Sequence, residues 1–189
     1  MPTTPPILTT ERLVLRMATS DDIPGIIRYY TINHEHLTPF SPRRPDNFLT
    51  EPYWQQVIAR SHDDFANDRS LRLVLFDRER PQQMIGEANF NNFVRGSAHF
   101  CHLGYGIDAS YQGGGYMTEA LQAAIAYVFD ELHMHRIMAN YIPHNQRSGK
   151  VLRRLGFVVE GYARDYLLID GAWQDHILTS LTNPDWTPA

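Results

Sequence analysis

Residues 107–121 read IDASYQGGGYMTEAL and place three consecutive glycines, Gly113 to Gly115, directly before a helical pattern. Glycine lacks a Cβ atom, so it adopts positive φ angles and lets the backbone approach a ligand closely. The amides of such a turn can converge on one point, and the following helix adds its own free amides and positive dipole end. The stretch therefore predicts a strand-to-helix turn that binds an anion such as a diphosphate. An ordinary turn, for which one glycine would suffice, is the alternative interpretation.

Two common nucleotide-binding motifs do not fit this turn. A phosphate-binding loop of the Walker type needs Lys and then Ser or Thr after its last glycine, whereas Tyr116 and Met117 follow here. The dinucleotide spacing GxGxxG does not appear at the opening of a strand-helix-strand unit near the N-terminus. The ligand of the turn is therefore expected to be of another class.

Two more glycines, Gly104 and Gly106, lie just before the turn, in a predicted strand. Glycine weakens a strand and often marks a bulge or a close ligand there, and tight sheet packing is the alternative. Five of the 12 glycines thus fall within residues 104–115.

Hydrophobic periodicity and turn residues predict the elements around the turn. Strands are expected at residues 13–15, 71–76, 84–93, 98–108, 136–142, 162–169 and 173–181, and helices at 23–30, 53–65, 117–132 and 149–155. This order indicates one domain over residues 1–189, of the α/β (α+β) class. Its largely antiparallel sheet of about seven strands would contain one strand-helix-strand crossover and be flanked by about four helices.

Composition excludes several classes of protein. The 189 residues are 43% apolar and include 17 Lys and Arg against 21 Asp and Glu, a net charge of −4, which disfavours broad nucleic-acid binding. The single cysteine, Cys101, excludes an intramolecular disulfide and a cysteine-based zinc cluster. The N-terminus does not read as a signal peptide and no apolar run would span a membrane, so a cytoplasmic protein is expected. A local basic patch remains at Arg43, Arg44 and residues 147–154.

The glycine-rich stretch resembles the coenzyme-A loop of the GNAT family of N-acetyltransferases. The family signature is Gln or Arg, two residues, Gly, one residue, and then Gly or Ala; Gln112 and Gly115 match it, and Met117 departs from it. NQRS at 145–148 with LGF at 155–157 resembles the family's second motif. TERLVLR at 10–16 and DYLLIDG at 165–171 resemble the branch that acetylates the N-termini of ribosomal proteins.

The resemblance implies a fold, a cosubstrate and the residues that contact it. The GNAT fold has a splayed strand pair that binds acetyl-CoA and needs no metal. The backbone of Tyr105, Gly106 and Ile107 would pair with the pantetheine arm, and Asn145 would contact the cosubstrate near the thioester. The diphosphate would lie on the amides of Gln112, Gly113, Gly114, Gly115, Tyr116 and Met117.

The resemblance also suggests catalytic residues, each with an ordinary structural alternative. Asn145 is equally suited to cap the following helix. Ser148 would protonate the departing thiolate, because Leu152 stands where many members carry a tyrosine; a helix-start serine is the alternative. Glu87 is the first choice for the carboxylate that accepts the amine's proton and Asp165 the second, although either could be a solvated or ion-paired group.

A cysteine nucleophile and a histidine metal site are weaker alternatives. Cys101 with His99 could carry the acyl group, but a mid-strand cysteine is usually an inert core residue. The pairs His34/His36 and His133/His135 have a spacing that does not face one side of a helix, and no further ligands complete a metal set.

The sequence therefore predicts an acetyl-CoA-dependent N-acetyltransferase that modifies a protein N-terminus, with direct transfer in a ternary complex. The expected acceptor begins with alanine and belongs to a small-subunit ribosomal protein. Two alternatives remain: acetylation of a small amine such as a polyamine or amino sugar, and a non-catalytic coenzyme-A-binding factor in ribosome assembly.

Overall fold

The computed structural model describes residues 4–188. Residues 1–3 and 189 of the predicted domain lie outside the described part. The strands are β1 (Ile7–Thr9), β2 (Leu13–Arg16), β3 (Leu71–Asp77), β4 (Arg80–Val94), β5 (Phe100–Ile107), β6 (Arg136–Tyr141), β7 (Val158–Ile169) and β8 (Ala172–Thr182). The α-helices are α1 (Ile23–Ile32), α2 (His34–Leu37), α3 (Glu51–Ala66), α4 (Tyr116–Asp130) and α5 (Gln146–Arg154).

The eight strands form one sheet in the order β1-β2-β3-β4-β5-β6-β8-β7. Every neighbouring pair is antiparallel except β5 and β6, which are parallel and are joined by α4. A parallel pair needs such a crossover because the chain must return to the same end of the sheet. The predicted mixed, mostly antiparallel fold with one crossover is confirmed.

Alternating side chains of the strands supply two hydrophobic cores, one on each face of the sheet. In β3, Leu71, Leu73 and Leu75 join the core beneath α4 and α5, whereas Val74 and Phe76 join the core beneath α1 and α3. The period of two along a strand makes this division. The site described below draws on elements from both faces, because α4 and α5 cover one face of the sheet and α1 and α3 cover the other.

The two parallel strands separate after three paired residues. Their pairing runs from Phe100↔Arg136 to His102↔Met138, although β5 continues to Ile107 and β6 to Tyr141. Beyond His102, β5 remains paired to β4 on its other side, from Gly104↔Asn89 to Ile107↔Gly86. The splay predicted beside the glycine-rich turn is therefore present, and one backbone edge of β5 faces the gap.

The structure adds one strand and one helix to the predicted seven and four. The extra elements, β1 and α2, have three and four residues, which is too short for a periodic pattern to be recognised. β4 begins at Arg80 instead of 84, because Arg80 still pairs with Asp77 of β3 beyond a register shift in the segment that contains Pro81. α5 begins at Gln146, one turn before the predicted start at 149.

Two features define the C-terminal part of the described chain. Asp170 (φ 46°) and Gly171 (φ 80°) form the two-residue turn between β7 and β8, as their Asp-Gly pattern predicts. Trp186 packs the tail on the domain, since its indole N–H donates to the His133 carbonyl at 3.0 Å and its ring centroid lies 5.0 Å from that of His99. No helix within residues 4–188 is both long and apolar enough to cross a membrane.

Candidate active site

Each of the three glycines in the glycine-rich turn has a geometric reason: two have positive φ angles and one lies in crowded surroundings. Gly113 and Gly115 have φ angles of 78° and 80°, and Gly115 is the N-cap of α4. A Cβ atom on Gly114 would lie 2.9 Å from the ring of Tyr116. Glycine suits positive φ angles and crowded backbone, so an ordinary turn with one glycine does not account for this one.

A groove of about 610 Å³ runs along this turn, the free edge of β5 and the start of α5. Its lining includes every residue predicted to contact the cosubstrate except Gly114: Tyr105, Gly106, Ile107, Gln112, Gly113, Gly115, Tyr116, Met117 and Asn145. Ser148 lines it as well. The structure thus brings the predicted cofactor residues together around one cavity.

A basic face of α5 borders the same groove. Arg147, Lys150 and Arg154 all line it and follow one another at intervals of three and four residues, which places them on one side of a helix. Part of the basic stretch noted in the sequence therefore faces the groove, despite the net charge of −4. Three cations beside a turn of convergent amides suit a polyanionic ligand.

Gln112 links the two walls of the groove. Its side-chain oxygen accepts a hydrogen bond from Arg147 at 2.6 Å, and its side-chain nitrogen lies 2.9 Å from Nε2 of His36 in α2. The same His36 nitrogen is 3.2 Å from the carbonyl oxygen of Ile107. Residues from α2, β5, the turn and α5 are thereby joined around the groove.

Asn145, Ser148 and Tyr105 meet at the start of α5. The Asn145 side chain accepts a hydrogen bond from the Ser148 backbone N–H at 3.2 Å, so its capping role is observed. The Tyr105 hydroxyl lies 2.8 Å from Ser148 Oγ and 3.2 Å from the Ser148 carbonyl oxygen. Burial raises the pKa of Tyr105, so its phenol remains protonated at neutral pH. Two neighbouring hydroxyls therefore line the groove here.

In α5, Leu152 occupies the position where the family resemblance would place a tyrosine. Its side chain is buried in the core beneath α4 and α5. Tyr105 of β5 instead supplies a phenol beside Ser148, and sequence reasoning assigned that residue only a backbone role. The position of the Tyr105 hydroxyl follows from the alternation of side chains along β5, which places Tyr105 and Leu103 on the same face of the sheet.

Glu87 lies beside the groove, next to Gly106. The two residues are paired across β4 and β5, and a Cβ atom on Gly106 would stand 4.0 Å from Glu87 Oε1. Each carboxylate oxygen accepts one hydrogen bond at 2.8 Å, from the Tyr30 hydroxyl and from the Asn89 side chain. These two donors hold the half-buried carboxylate in one orientation.

The Tyr29 hydroxyl is a further polar group at this point. It is buried without a hydrogen-bond partner among the described residues, and it lies 3.4 Å from where a Cβ atom of Gly106 would be. A buried hydroxyl normally has a partner, so this one suits a polar ligand atom beside Gly106. The pairing with β4 is regular at Gly104 and Gly106, so neither glycine marks a bulge. Nothing lies within 4 Å of a Cβ position at Gly104, whereas a Cβ atom on Gly106 would contact the Tyr29 hydroxyl and Leu37 at 3.4 and 3.6 Å.

The alternative catalytic residues lie elsewhere. Cys101 is fully buried, and burial raises its pKa to about 12. The His99 ring packs on Trp186 at the tail. Asp165 is exposed in an irregular part of β7, where its backbone N–H donates to Asp175 at 2.9 Å. Among residues 4–188, no group of three His, Cys, Asp or Glu side chains is arranged to hold a metal ion.

Sequence reasoning missed several residues of the site besides the Tyr105 hydroxyl. Tyr30, which donates to Glu87, comes from α1, 57 positions away, and shares no local signal with it, whereas Asn89 lies two residues from Glu87 on the same face of β4. The basic face of α5 did have a signal, because its cations recur at helical spacing. The sequence alone indicates only a local basic patch there, and the fold shows which of its residues face the groove.

Comparison with known proteins places this fold and groove in a family. The family model described as "Acetyltransferase (GNAT) domain" matches residues 12–158. The chain belongs to the GNAT acetyltransferase family.

Individual relatives within this family can also be compared with the chain. The chain is 49% identical over 181 residues to "[Ribosomal protein uS5]-alanine N-acetyltransferase" of Escherichia coli (strain K12), covering 96% of this chain and 93% of that relative. The crystal structure of ribosomal-protein-S5-alanine acetyltransferase from Vibrio fischeri is 39% identical with a TM-score of 0.92, covering 97% of this chain and 100% of that one. Mycobacterium smegmatis RimJ in complex with CoA-disulfide is 26% identical with a TM-score of 0.86, covering 98% of this chain and 89% of that one.

Proposed function

We propose that this protein transfers the acetyl group of acetyl-CoA to the N-terminal α-amino group of an alanine-initiated ribosomal protein of the small subunit. One observation carries the proposal: the groove that begins at the glycine-rich turn passes along the free edge of β5, where Gly106 adjoins the carboxylate of Glu87. The similarity to uS5-alanine acetyltransferases over nearly the whole chain supports the choice of acceptor. Such an acceptor implies a cytoplasmic enzyme, built as one domain over residues 1–189.

The chemistry of the lining fits acetyl-CoA. The amides of Gln112 to Met117 would hold the diphosphate, and Arg147, Lys150 and Arg154 would neutralise phosphate charge. The unpaired edge of β5 at Tyr105, Gly106 and Ile107 would bond the amides of the pantetheine arm as an added strand does. Asn145 lines the same groove and would contact the cosubstrate while it caps α5.

Acetyl-CoA supplies the acetyl group as a thioester, from which the thiolate leaves when the amine nitrogen bonds to the carbonyl carbon. Ser148 Oγ would donate its proton to the departing sulfur and recover one through the Tyr105 hydroxyl, 2.8 Å away. Because a thiol is fairly acidic, its thiolate can leave without full protonation, and this proton transfer contributes only modestly to the rate. Holding amine and thioester together on rigid elements would supply most of the acceleration.

Glu87 would receive the proton of the acceptor ammonium, directly or through water. An α-amino group has a pKa of about 7.7–8.0, so a useful neutral fraction exists near pH 7 and the base has a modest task. Tyr30 and Asn89 keep the carboxylate oriented, and the missing side chain of Gly106 leaves room for the amine. The Tyr29 hydroxyl would accept or donate a hydrogen bond at the same point.

The test is to measure free thiol released from acetyl-CoA with matched acceptors. These are a peptide beginning with alanine, the same peptide already acetylated, the same peptide beginning with serine, spermidine, and no acceptor. We expect turnover with the alanine peptide, a smaller rate with serine, and none with the blocked peptide. Turnover with spermidine alone would favour the small-amine alternative. Binding of coenzyme A without turnover on any amine would favour the assembly factor.

A further inference from the structure

Arg12, at the chain segment just before β2, reaches across to the glycine-rich turn. Its Nη1 atom donates a hydrogen bond to the Gly114 carbonyl oxygen at 2.9 Å. Its guanidinium lies 4.0 Å from the centre of the Tyr116 ring, and its Nη2 atom is 3.6 Å from the Cβ position of Gly115. One side chain thus contacts three successive residues of the turn from the side of β2.

Glu119, in the first turn of α4, holds this arginine in place. Its Oε2 atom lies 2.6 Å from both Nε and Nη2 of Arg12, and its Oε1 atom accepts from the Arg12 backbone N–H at 2.9 Å and from the Thr10 hydroxyl at 2.6 Å. Burial acts to raise the pKa of Glu119, but these hydrogen bonds and the arginine charge lower it below its ordinary value. The carboxylate is therefore charged at neutral pH and keeps the guanidinium in one geometry.

The bond to Gly114 sets the direction of a backbone amide. In a trans peptide the carbonyl and the next N–H point in opposite directions, so an oxygen turned toward Arg12 turns the Gly115 N–H away from it. Gly115 lines the groove, whereas Gly114 is the one glycine of the turn that does not. The carbonyl of Gly114 is also kept from facing a bound anion, which it would repel.

We propose that Arg12, held by Glu119, is a positioning residue that presents the turn's amides to the diphosphate of the acyl donor. This inference rests on the proposed coenzyme-A site and adds to it a residue outside the groove. Arg12 also places a positive charge behind the turn. It contacts the turn and not the reacting atoms, so its effect should fall on donor affinity and depend on the diphosphate.

The experiment compares two ligands that share the pantetheine arm, of which only coenzyme A carries the diphosphate and the 3′-phosphoadenosine attached to it. Calorimetry measures the Kd of coenzyme A and of pantetheine for the wild-type protein and for Arg12→Met. Arg16→Met is the matched control, because Arg16 lies four residues further along the chain, in β2, and forms its ion pair with Asp22 instead of with a residue of α4. We expect Arg12→Met to weaken coenzyme A about tenfold or more, the usual effect of losing a hydrogen bond to a charged group. Pantetheine should bind Arg12→Met and wild type equally, and Arg16→Met should bind both as wild type does.

Other outcomes would overturn the inference in distinguishable ways. If Arg12→Met weakened the binding of both ligands equally, general damage to the protein would be indicated. If it weakened the binding of neither, the turn would not depend on Arg12 for its orientation. If the wild-type protein bound coenzyme A no better than pantetheine, the proposed cofactor site itself would fall. Glu119→Gln, which keeps the shape of the side chain, is the second variant; it should show the same selective loss in smaller degree, and thermal unfolding checks that each variant is folded.

Discussion

Two hydroxyl groups, those of Ser148 and Tyr105, lie together on the wall of the groove where β5 has left β6. A serine alone is a weak acid, but a buried phenol beside it can replace the proton it gives away. In the proposed mechanism, this pair would take the role that the family resemblance assigns to a tyrosine of α5, whose position Leu152 occupies in the core.

Ser148→Ala tests this assignment. We expect kcat with the alanine peptide to fall about tenfold, at the low end for proton transfer because the leaving thiolate is a weak base. KM for acetyl-CoA should change little, since the backbone N–H of residue 148 still reaches Asn145. Tyr105→Phe keeps the ring and removes only the phenolic proton, so it should lower kcat less. Steady-state kinetics with both substrates varied checks this, and an unchanged kcat for Ser148→Ala would remove the serine from the mechanism.

Cys101 offers a second test at the residue scale. Its thiol is buried, and burial raises the pKa to about 12, so almost no thiolate exists at pH 8. We expect an aromatic disulfide reagent to leave the native protein unlabelled and to react with one thiol after unfolding in guanidinium. Cys101→Ala should keep kcat near the wild-type value. Rapid labelling of the native protein, or loss of turnover in a folded variant, would revive an acyl-cysteine mechanism.

At the scale of elements, short polar connections join the strands to the helices that cover them. Arg16 of β2 forms two hydrogen bonds of 2.7 Å with the carboxylate of Asp22, the residue before α1. Asp22 also accepts from the Thr19 backbone N–H at 2.7 Å. These bonds join the end of β2 to the start of α1, which carries Tyr29 and Tyr30 to the site.

The pH dependence of stability tests this connection. Burial acts to raise the pKa of Asp22, but hydrogen bonds from Arg16 and Thr19 lower it below its ordinary 3.8. The pair therefore contributes its full stability above about pH 4 and loses it as pH falls through the lower folded-state value. We expect Asp22→Asn to lose about 2 kcal/mol of unfolding free energy at pH 7. That difference from wild type should shrink progressively below pH 3.8.

Urea unfolding at a series of pH values from 7 to 3 measures this effect. Asp21→Asn is the matched control, because Asp21 is an exposed neighbour of the same charge. A difference between Asp22→Asn and wild type that stayed constant across the whole range would contradict the assignment.

At the scale of the whole molecule, the site lies where the sheet opens, and three separate stretches of the chain line its groove, within residues 36–40, 105–118 and 144–154. On one face, α4 and α5 provide the turn, the cations and Ser148; on the other, α1 supplies Tyr29 and Tyr30 beside Glu87. The turn between β7 and β8 reaches the loop after α2, where the Asp170 N–H donates to the Ser41 carbonyl at 3.0 Å. A ligand in the groove would therefore touch segments that are distant in the sequence.

Ligand binding should stabilise such a molecule as a unit. At a coenzyme A concentration about 100 times its Kd, binding adds about 2.7 kcal/mol to the free energy of unfolding. For a chain of this size, that corresponds to a rise in Tm of about 5–10 °C. Thermal unfolding followed by circular dichroism measures the shift. Pantetheine at the same concentration should give a much smaller one, and equal shifts would contradict the assignment of the diphosphate to the turn.

The same division by scale separates what the sequence alone determined from what needed the tertiary structure. The glycine-rich turn, the helix that follows it and the Asp-Gly hairpin could be predicted because backbone chemistry within a few residues decides them. The order of strands and helices followed from periodicity, which also acts locally. These local features, with the resemblance they carry, were enough to predict the GNAT fold and those groove-lining residues that belong to the turn and to β5, together with Asn145 and Ser148.

The partners of those residues required the folded chain. Arg12 and Gly114 are 102 positions apart, Tyr30 and Glu87 are 57 apart, and Tyr105 and Ser148 are 43 apart. Such contacts depend on strand register and on how each helix packs across the sheet, and a shift of one residue would turn every side chain of a strand to the other face. Local chemistry therefore determined where a cofactor would lie, and only tertiary packing decided which distant side chains orient the turn, the hydroxyl pair and the carboxylate around it.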